Sequence, residues 1–198
     1  MTARLVINST EISDTMARNP GQLSDLSPLN VLVTGHTQDA KATLIEKRPA
    51  KWSRIDDGSM AFQVAYTTSE FPVSMNNDQD LAKSDALVAS GKLGLVNPNG
   101  TVCRVVDFAP GFTCAMHRTQ SLDYGVVVEG SVELVLEDGP PTIMNRGDIA
   151  VQRHTNHAWK NASSTEWARM VFMLQDSQPL TVEGSSLVDN AKSLFKPT

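Results

Sequence analysis

Cysteine is nearly absent: Cys103 and Cys114 are the only two in 198 residues. Two thiols cannot build a disulfide framework, which excludes the small secreted disulfide scaffolds and leaves both as buried apolar residues in a reducing compartment. Long hydrophobic runs are missing as well. Stretches such as Tyr124-Gly125-Val126-Val127-Val128 fall far short of the roughly 20 residues that cross a bilayer. Met1 to Glu11, with one arginine and only Leu5-Val6-Ile7 as an apolar run, lacks a signal-peptide core. The expectation is a cytoplasmic protein that does not span a membrane, in which the sequons at Asn8, Asn99 and Asn161 stay unmodified. Positive charge is scarce: 17 Lys and Arg face 22 Asp and Glu, a net charge of −5. The lack of a basic stripe to neutralise phosphates argues against nucleic acid and anionic membrane as main partners, and a small molecule is expected instead. No internal repeat is visible, which argues against a two-barrel arrangement.

What is present is β structure. Residues 1–28 lack sustained periodicity and carry Asn19-Pro20-Gly21 and Ser27-Pro28, the features of a loosely held arm. Val31 to Thr34, Lys41 to Glu46 and Met60 to Thr67 read as strands, and Asp78 to Ala89 as a covering helix ended by Gly91. After the turn cluster Asn97-Pro98-Asn99-Gly100 come five further strand candidates: Thr101 to Phe108, Tyr124 to Val128, Val132 to Glu137, Asp148 to Gln152 and Trp167 to Leu174. In Val132-Glu133-Leu134-Val135-Leu136 the period-two pattern marks a half-buried antiparallel strand. Ser185 to Phe195 reads as a closing helix. Many short strands in one modest domain predict an all-β sandwich or small barrel. The expected organisation is an arm over 1–28, one barrel over 29–183 and a C-terminal helix or tail over 184–198.

The chain has four histidines, and three of them, His117, His154 and His157, cluster in the β-rich half. His117 and Asp123 are six residues apart, about 20 Å along a straight strand at roughly 3.3 Å per residue. They can share a site only around a bend, which Gln120-Ser121-Leu122 can supply. His154 is either a surface residue or a general acid/base at a site's mouth. His36, after Val33-Thr34-Gly35, is a turn residue or a pocket-rim residue. Arg118, Tyr124 and Arg153 neighbour the cluster and could hold a carboxylate or phenolate.

The run Gly111, five residues, His117, one residue, Thr119, three residues, Asp123, six residues, Gly130 resembles the first motif of the cupins. Gly147-Asp148, followed by His157, three residues and Asn161, resembles the second. This chain has Thr119 and Asp123 where the family pattern has His and Glu. Arg104 to Gly111, Met116 to Thr119, Ser121 to Gly130 and His157-Ala158-Trp159 further resemble small single-barrel fungal cupins named as cupin-domain oxidoreductases of secondary-metabolite clusters. In that group a glycine commonly stands at the place of His154. The resemblance implies a cupin jelly-roll barrel with a few short peripheral helices and a homodimer formed through exposed strand edges. It also implies a tailoring role on polyketide-like molecules.

On that resemblance His117, Asp123 and His157 would hold a divalent metal. Two imidazoles and one carboxylate have the composition of a facial triad, which suits Fe(II), with Mn, Ni, Cu or Zn as alternatives. Tyr124, Arg118 or His154 would move protons, and Thr119, His36, Arg153 and Asn161 would line the substrate pocket. The leading reading is a metal-dependent oxidoreductase or dioxygenase acting on a small oxygenated metabolite. One alternative is a metal-free lyase, isomerase or cyclase with Asp123 and His157 as an acid/base pair; another is a binding protein without turnover.

Overall fold

In the computed structural model, which describes residues 17–191, two antiparallel sheets face each other across an apolar interior. The strands are β1 (Asn30–His36), β2 (Ala42–Pro49), β3 (Ser53–Ile55), β4 (Met60–Thr68), β5 (Thr101–Phe108), β6 (Ser121–Glu129), β7 (Ser131–Leu136), β8 (Thr142–Asn145), β9 (Ile149–Arg153), β10 (His157–Asn161), β11 (Ala168–Asp176), β12 (Thr181–Val182) and β13 (Ser185–Ser186). One helix, α1 (Gln79–Ala89), lies against β4. The larger sheet has the order β3-β4-β5-β11-β6-β9 and the smaller β10-β7-β8, while β1-β2 and β12-β13 are separate hairpins. Among the described residues no helix is long and apolar enough to cross a membrane.

Alternation assigns each strand two faces. Inward-facing Phe62, Val106, Phe108, Val127, Met170, Phe172 and Leu174 of the large sheet meet Val132, Met144, Ala158 and Trp159 of the small one. Trp159 and Phe172 bridge the gap with ring centroids 5.4 Å apart. The two sheets are joined at the β6–β7 corner, where Gly130 has φ +73° and a Cβ would press on Ala168. Only glycine accepts that turn without strain.

Part of the outer face of the large sheet, at β5 and β11, is buried too. Asp107 and Arg169 stand opposite each other in the β5–β11 register. They form a two-pronged ion pair, Nε to Oδ1 at 2.5 Å and Nη2 to Oδ2 at 2.7 Å, with side-chain exposures of 0% for Asp107 and 2% for Arg169. Ser24 donates to Asp107, and Arg169 donates to the Ser27 carbonyl under the ring of Trp52. Asn19, Gln22 and Ser24 are buried, so from residue 17 the segment read as a loose arm is fastened to the sheet. Residues 1–16 lie outside the described region.

The closing helix expected over Ser185 to Phe195 is not formed by residues 185–191. Glu183 and Gly184, at φ +48° and +82°, turn β12 back onto β13. The chain then runs to the 117–120 loop, where the Asn190 side chain accepts from the Arg118 N–H and the Asp189 carboxylate from the Gln120 N–H. The Asn190 and Ala191 backbone N–H groups also donate to the Arg118 carbonyl, so they are not available to a local helical ladder. Residues 192–198 lie outside the described region.

Candidate active site

The β5–β6 connection carries His117 across the barrel to β10. The His117 N–H donates to the His157 carbonyl at 2.9 Å and the His157 N–H returns a bond at 2.8 Å. This two-way bridge brings the rings to 4.2 Å between centroids, tilted by 50°. His157 Nδ1 lies 3.0 Å from the Thr155 carbonyl and 2.9 Å from the Gln152 side-chain nitrogen, and His117 Nδ1 lies 2.9 Å from the Ala115 carbonyl. A carbonyl only accepts, so each Nδ1 carries the proton and each Nε2 the lone pair. Both imidazoles are held below their ordinary pKa, chiefly by burial. His157 falls to about 3, with His117 as the second cause.

Asp123 enters from β6, opposite Leu174 of β11 and Gln152 of β9. Only 4% of it is exposed, and its Oδ1 is buried without a hydrogen-bond donor. Burial pushes its carboxyl up to about 7, with the Ser121 hydroxyl pulling the other way. Asp123, His117, His157 and Thr119 line one cavity of about 50 Å³, closed by Met60, Phe62, Val106, Phe108, Trp159 and Phe172 among others. That volume holds a few water molecules.

The remaining expected site residues lie elsewhere. Tyr124 is 41% exposed on the sheet's outer face, because its neighbour Asp123 takes the inward position. Arg153 is exposed for the same reason, Gln152 being the buried residue of that pair. His36, at the end of β1, is exposed and pairs with Ala42. Asn161 is buried, but its amide clamps the carbonyls of Phe108, Ala109 and Glu166 while its Oδ1 accepts from Ser163; it holds a loop rather than lining the cavity. Arg118 pairs with Glu137 at 3.3 Å at the rim. His154 is buried beside that rim at φ +54°, a left-handed conformation that explains why glycine suits this position. Burial, then Arg118, lowers its pKa.

Sequence reasoning missed Gln152, whose side-chain amide donates to the Thr155 carbonyl that tethers the His157 ring, and Arg104, which lines the cavity from β5. Alternation with Ala150 could have placed Gln152 inward.

The donor chemistry suits a divalent metal in two respects: both imidazoles have the Nδ1–carbonyl tether typical of metal ligands, and Asp123 offers an oxygen with no other partner. Their placement does not. Among the described residues no three His, Cys, Asp or Glu side chains form a group that could hold a metal ion. As placed, these groups can accept, hold and return a proton in an apolar enclosure.

Residues 104–174 match the Cupin domain family. The chain is 37% identical over 174 residues to phomopsin biosynthesis cluster protein D of Diaporthe leptostromiformis, covering 87% of this chain and 92% of the relative. It is 39% identical over 166 residues to oryzines biosynthesis cluster protein J of Aspergillus oryzae, covering 82% and 91%. It is 38% identical over 153 residues to the cupin-domain-containing oxidoreductase virC of Hypocrea virens, covering 76% and 77%. With this likeness running well beyond the barrel strands themselves, the chain belongs to the cupin family, alongside the cupins of fungal biosynthesis clusters.

Proposed function

We propose that the chain is a tailoring enzyme of fungal secondary metabolism that moves a proton on a small oxygenated metabolite inside the barrel. The observation that carries this reading is Asp123: a buried carboxylate with an unpartnered oxygen and a pKa of about 7, in one cavity with two neutral imidazoles. A base poised near the working pH is what general acid–base catalysis requires. Ionised Asp123 takes a proton from the carbon beside a substrate carbonyl, and the electron pair moves onto the carbonyl oxygen to give an enolate. Neutral Asp123 then returns the proton to another position or to a leaving group. The His157 ring, tethered through its Nδ1–H to the Thr155 carbonyl, turns its Nε2 lone pair to a substrate hydroxyl and fixes the substrate's orientation. The biosynthetic-cluster names of the relatives support the metabolic setting.

A second reading is favoured by the Nδ1 tethers and by relatives named as oxidoreductases. In it His117, His157 and Asp123, once drawn together, would hold a divalent ion, Fe(II) by the composition of the set. When bound, the ion would supply Lewis-acid stabilisation of substrate negative charge or an open position for oxygen.

One experiment separates the two. Enolisable 2-oxo and 3-oxo acids, phenylpyruvate among them, are incubated with the protein in D₂O, with and without exhaustive chelation, and elemental analysis is run beside it on wild type, His117→Ala and His157→Ala. Deuterium entering beside the carbonyl, insensitive to chelation and lost in Asp123→Asn, is the expected result. Exchange no faster than with Asp123→Asn for every acid overturns the first reading. Near-stoichiometric metal, lost in both histidine variants, with activity abolished by chelation, establishes the second.

A further inference from the structure

Two arginines are buried in the large sheet, one on each face. Arg169, on the outer face, is neutralised by Asp107. Arg104, on the inner face and 7% exposed, makes no ion pair among the described residues. Of its three guanidinium nitrogens only Nη2 has an acceptor, the Gly94 carbonyl at 2.8 Å, and Nε is buried with none. The Phe62 ring covers the cation at 4.8 Å, a contact that offsets part of its desolvation. Burial lowers its pKa to about 10, so it remains a cation at neutral pH. A buried cation without a counter-charge is costly to keep, and a partner that supplies one would relieve that cost.

Its position says what ligand. A larger cleft of about 540 Å³ lies beside the barrel, between β4, α1 and the segment leading to β5; Val31, Ile55, Val64, Val88 and Leu93 line one part of it, and Lys51 and the Arg48–Asp85 ion pair another. Phe62, Leu95 and Arg104 line both this cleft and the 50 Å³ cavity of Asp123. They form the partition between a chamber too small for an organic metabolite and one large enough. The guanidinium, with donor positions unused, stands in that partition.

We propose that Arg104 is the anchor for a carboxylate on the substrate, whose mainly apolar body occupies the cleft while its reacting carbon reaches the barrel. The proposal rests on the reading of the barrel as the reaction centre and adds the substrate class, an organic acid. Arginine suits this task because its planar fork matches a carboxylate with paired N–H donors. The same donors would hold the enolate oxygen of a 2-oxo acid in reach of Asp123.

The test is equilibrium binding of benzoate and of its neutral, equally shaped amide, benzamide, to the full-length protein, wild type and with Arg104→Met and Arg104→Lys. Saturable benzoate binding, weakened about tenfold or more in Arg104→Met and partly kept in Arg104→Lys, with benzamide at least tenfold weaker on wild type, is expected. Benzoate and benzamide binding alike, benzoate failing to bind wild type, or benzoate unaffected by Arg104→Met overturns it. Should Arg104→Met not fold, the Arg104 Nε–H resonance of wild type, assigned through Arg104→Lys, gives the answer. It must shift saturably with benzoate and not with benzamide; an unmoved resonance overturns the proposal. Binding is read without turnover, so the two readings fail separately. Arg104-dependent benzoate binding with no deuterium exchange sinks the proton-transfer reading alone, whereas Asp123-dependent exchange with no Arg104 effect sinks this one alone.

Discussion

Asp123→Asn turns the burial of one carboxylate into a measurable stability difference. In the folded protein the Asp123 carboxyl sits at about 7 against an ordinary 3.8. The gap of about 3 pH units, at about 1.36 kcal/mol each, means that ionising Asp123 costs the fold on the order of 4 kcal/mol. The folded state binds more protons than the unfolded state between those two values. Asp123 therefore contributes its stability in full below its unfolded pKa and loses it as pH rises through about 7. Asparagine keeps the shape and carries no charge. The variant should match wild type near pH 4 and exceed it by up to about 4 kcal/mol at pH 8, on the order of 10 °C in Tm for a chain of this size. Urea unfolding of both proteins in chelator across this range measures it, and subtracting one curve from the other cancels every other titrating group. A difference that is flat with pH, or that shrinks as pH rises, refutes the reasoning.

Other consequences can be checked on the purified protein. Asp107→Asn removes the counter-charge of a fully buried arginine and unfastens Ser24; it should cost about 3–5 kcal/mol in urea unfolding, and a loss below about 1 kcal/mol would show that the pair is replaceable. Gly100→Ala places a Cβ only 1.8 Å from the Thr68 carbonyl oxygen, a backbone atom that cannot give way, so a loss of about 3 kcal/mol or more is expected in thermal unfolding. Burial raises the thiol of Cys103 and pushes that of Cys114 up to about 11. Cys114 should not react with a disulfide reagent at pH 8 until denaturant is added, whereas Cys103, expected to be buried but only half-buried in the fold, reacts first; rapid labelling of Cys114 in folded Cys103→Ser protein would contradict its burial.

Most of the fold was legible because its strands are short β-branched runs bounded by turn residues: Thr101 to Phe108, after the Asn97-Pro98-Asn99-Gly100 turn, was placed to the residue, and the helix α1, ended by Gly91, to within one. His117, Asp123 and His157 were legible as a set through their glycine-framed spacing, and they do line one cavity. Tyr124 and Arg153 were misplaced although parity was available. Once Asp123 and Gln152 face inward, the next residue of each strand must face out. Arg104 was invisible for a deeper reason. In a strand buried on both faces, a charged residue reads as the solvent side of an amphipathic pattern, and only the packed barrel reveals that Arg104 has no solvent and no carboxylate. The failed helix after Ser185 depended on Asp189 and Asn190 finding the 117–120 backbone, a contact across about seventy residues that local periodicity does not encode.

The account turns on a carboxyl that is half protonated at neutral pH inside the barrel. Carbon-13 NMR titration of the aspartate side chains in metal-free protein, with Asp123→Asn assigning the signal, measures this directly. The account predicts that the Asp123 carboxyl titrates near 7. A midpoint in the ordinary carboxylate range, about 4, would contradict it and remove Asp123 as the proton-transfer group.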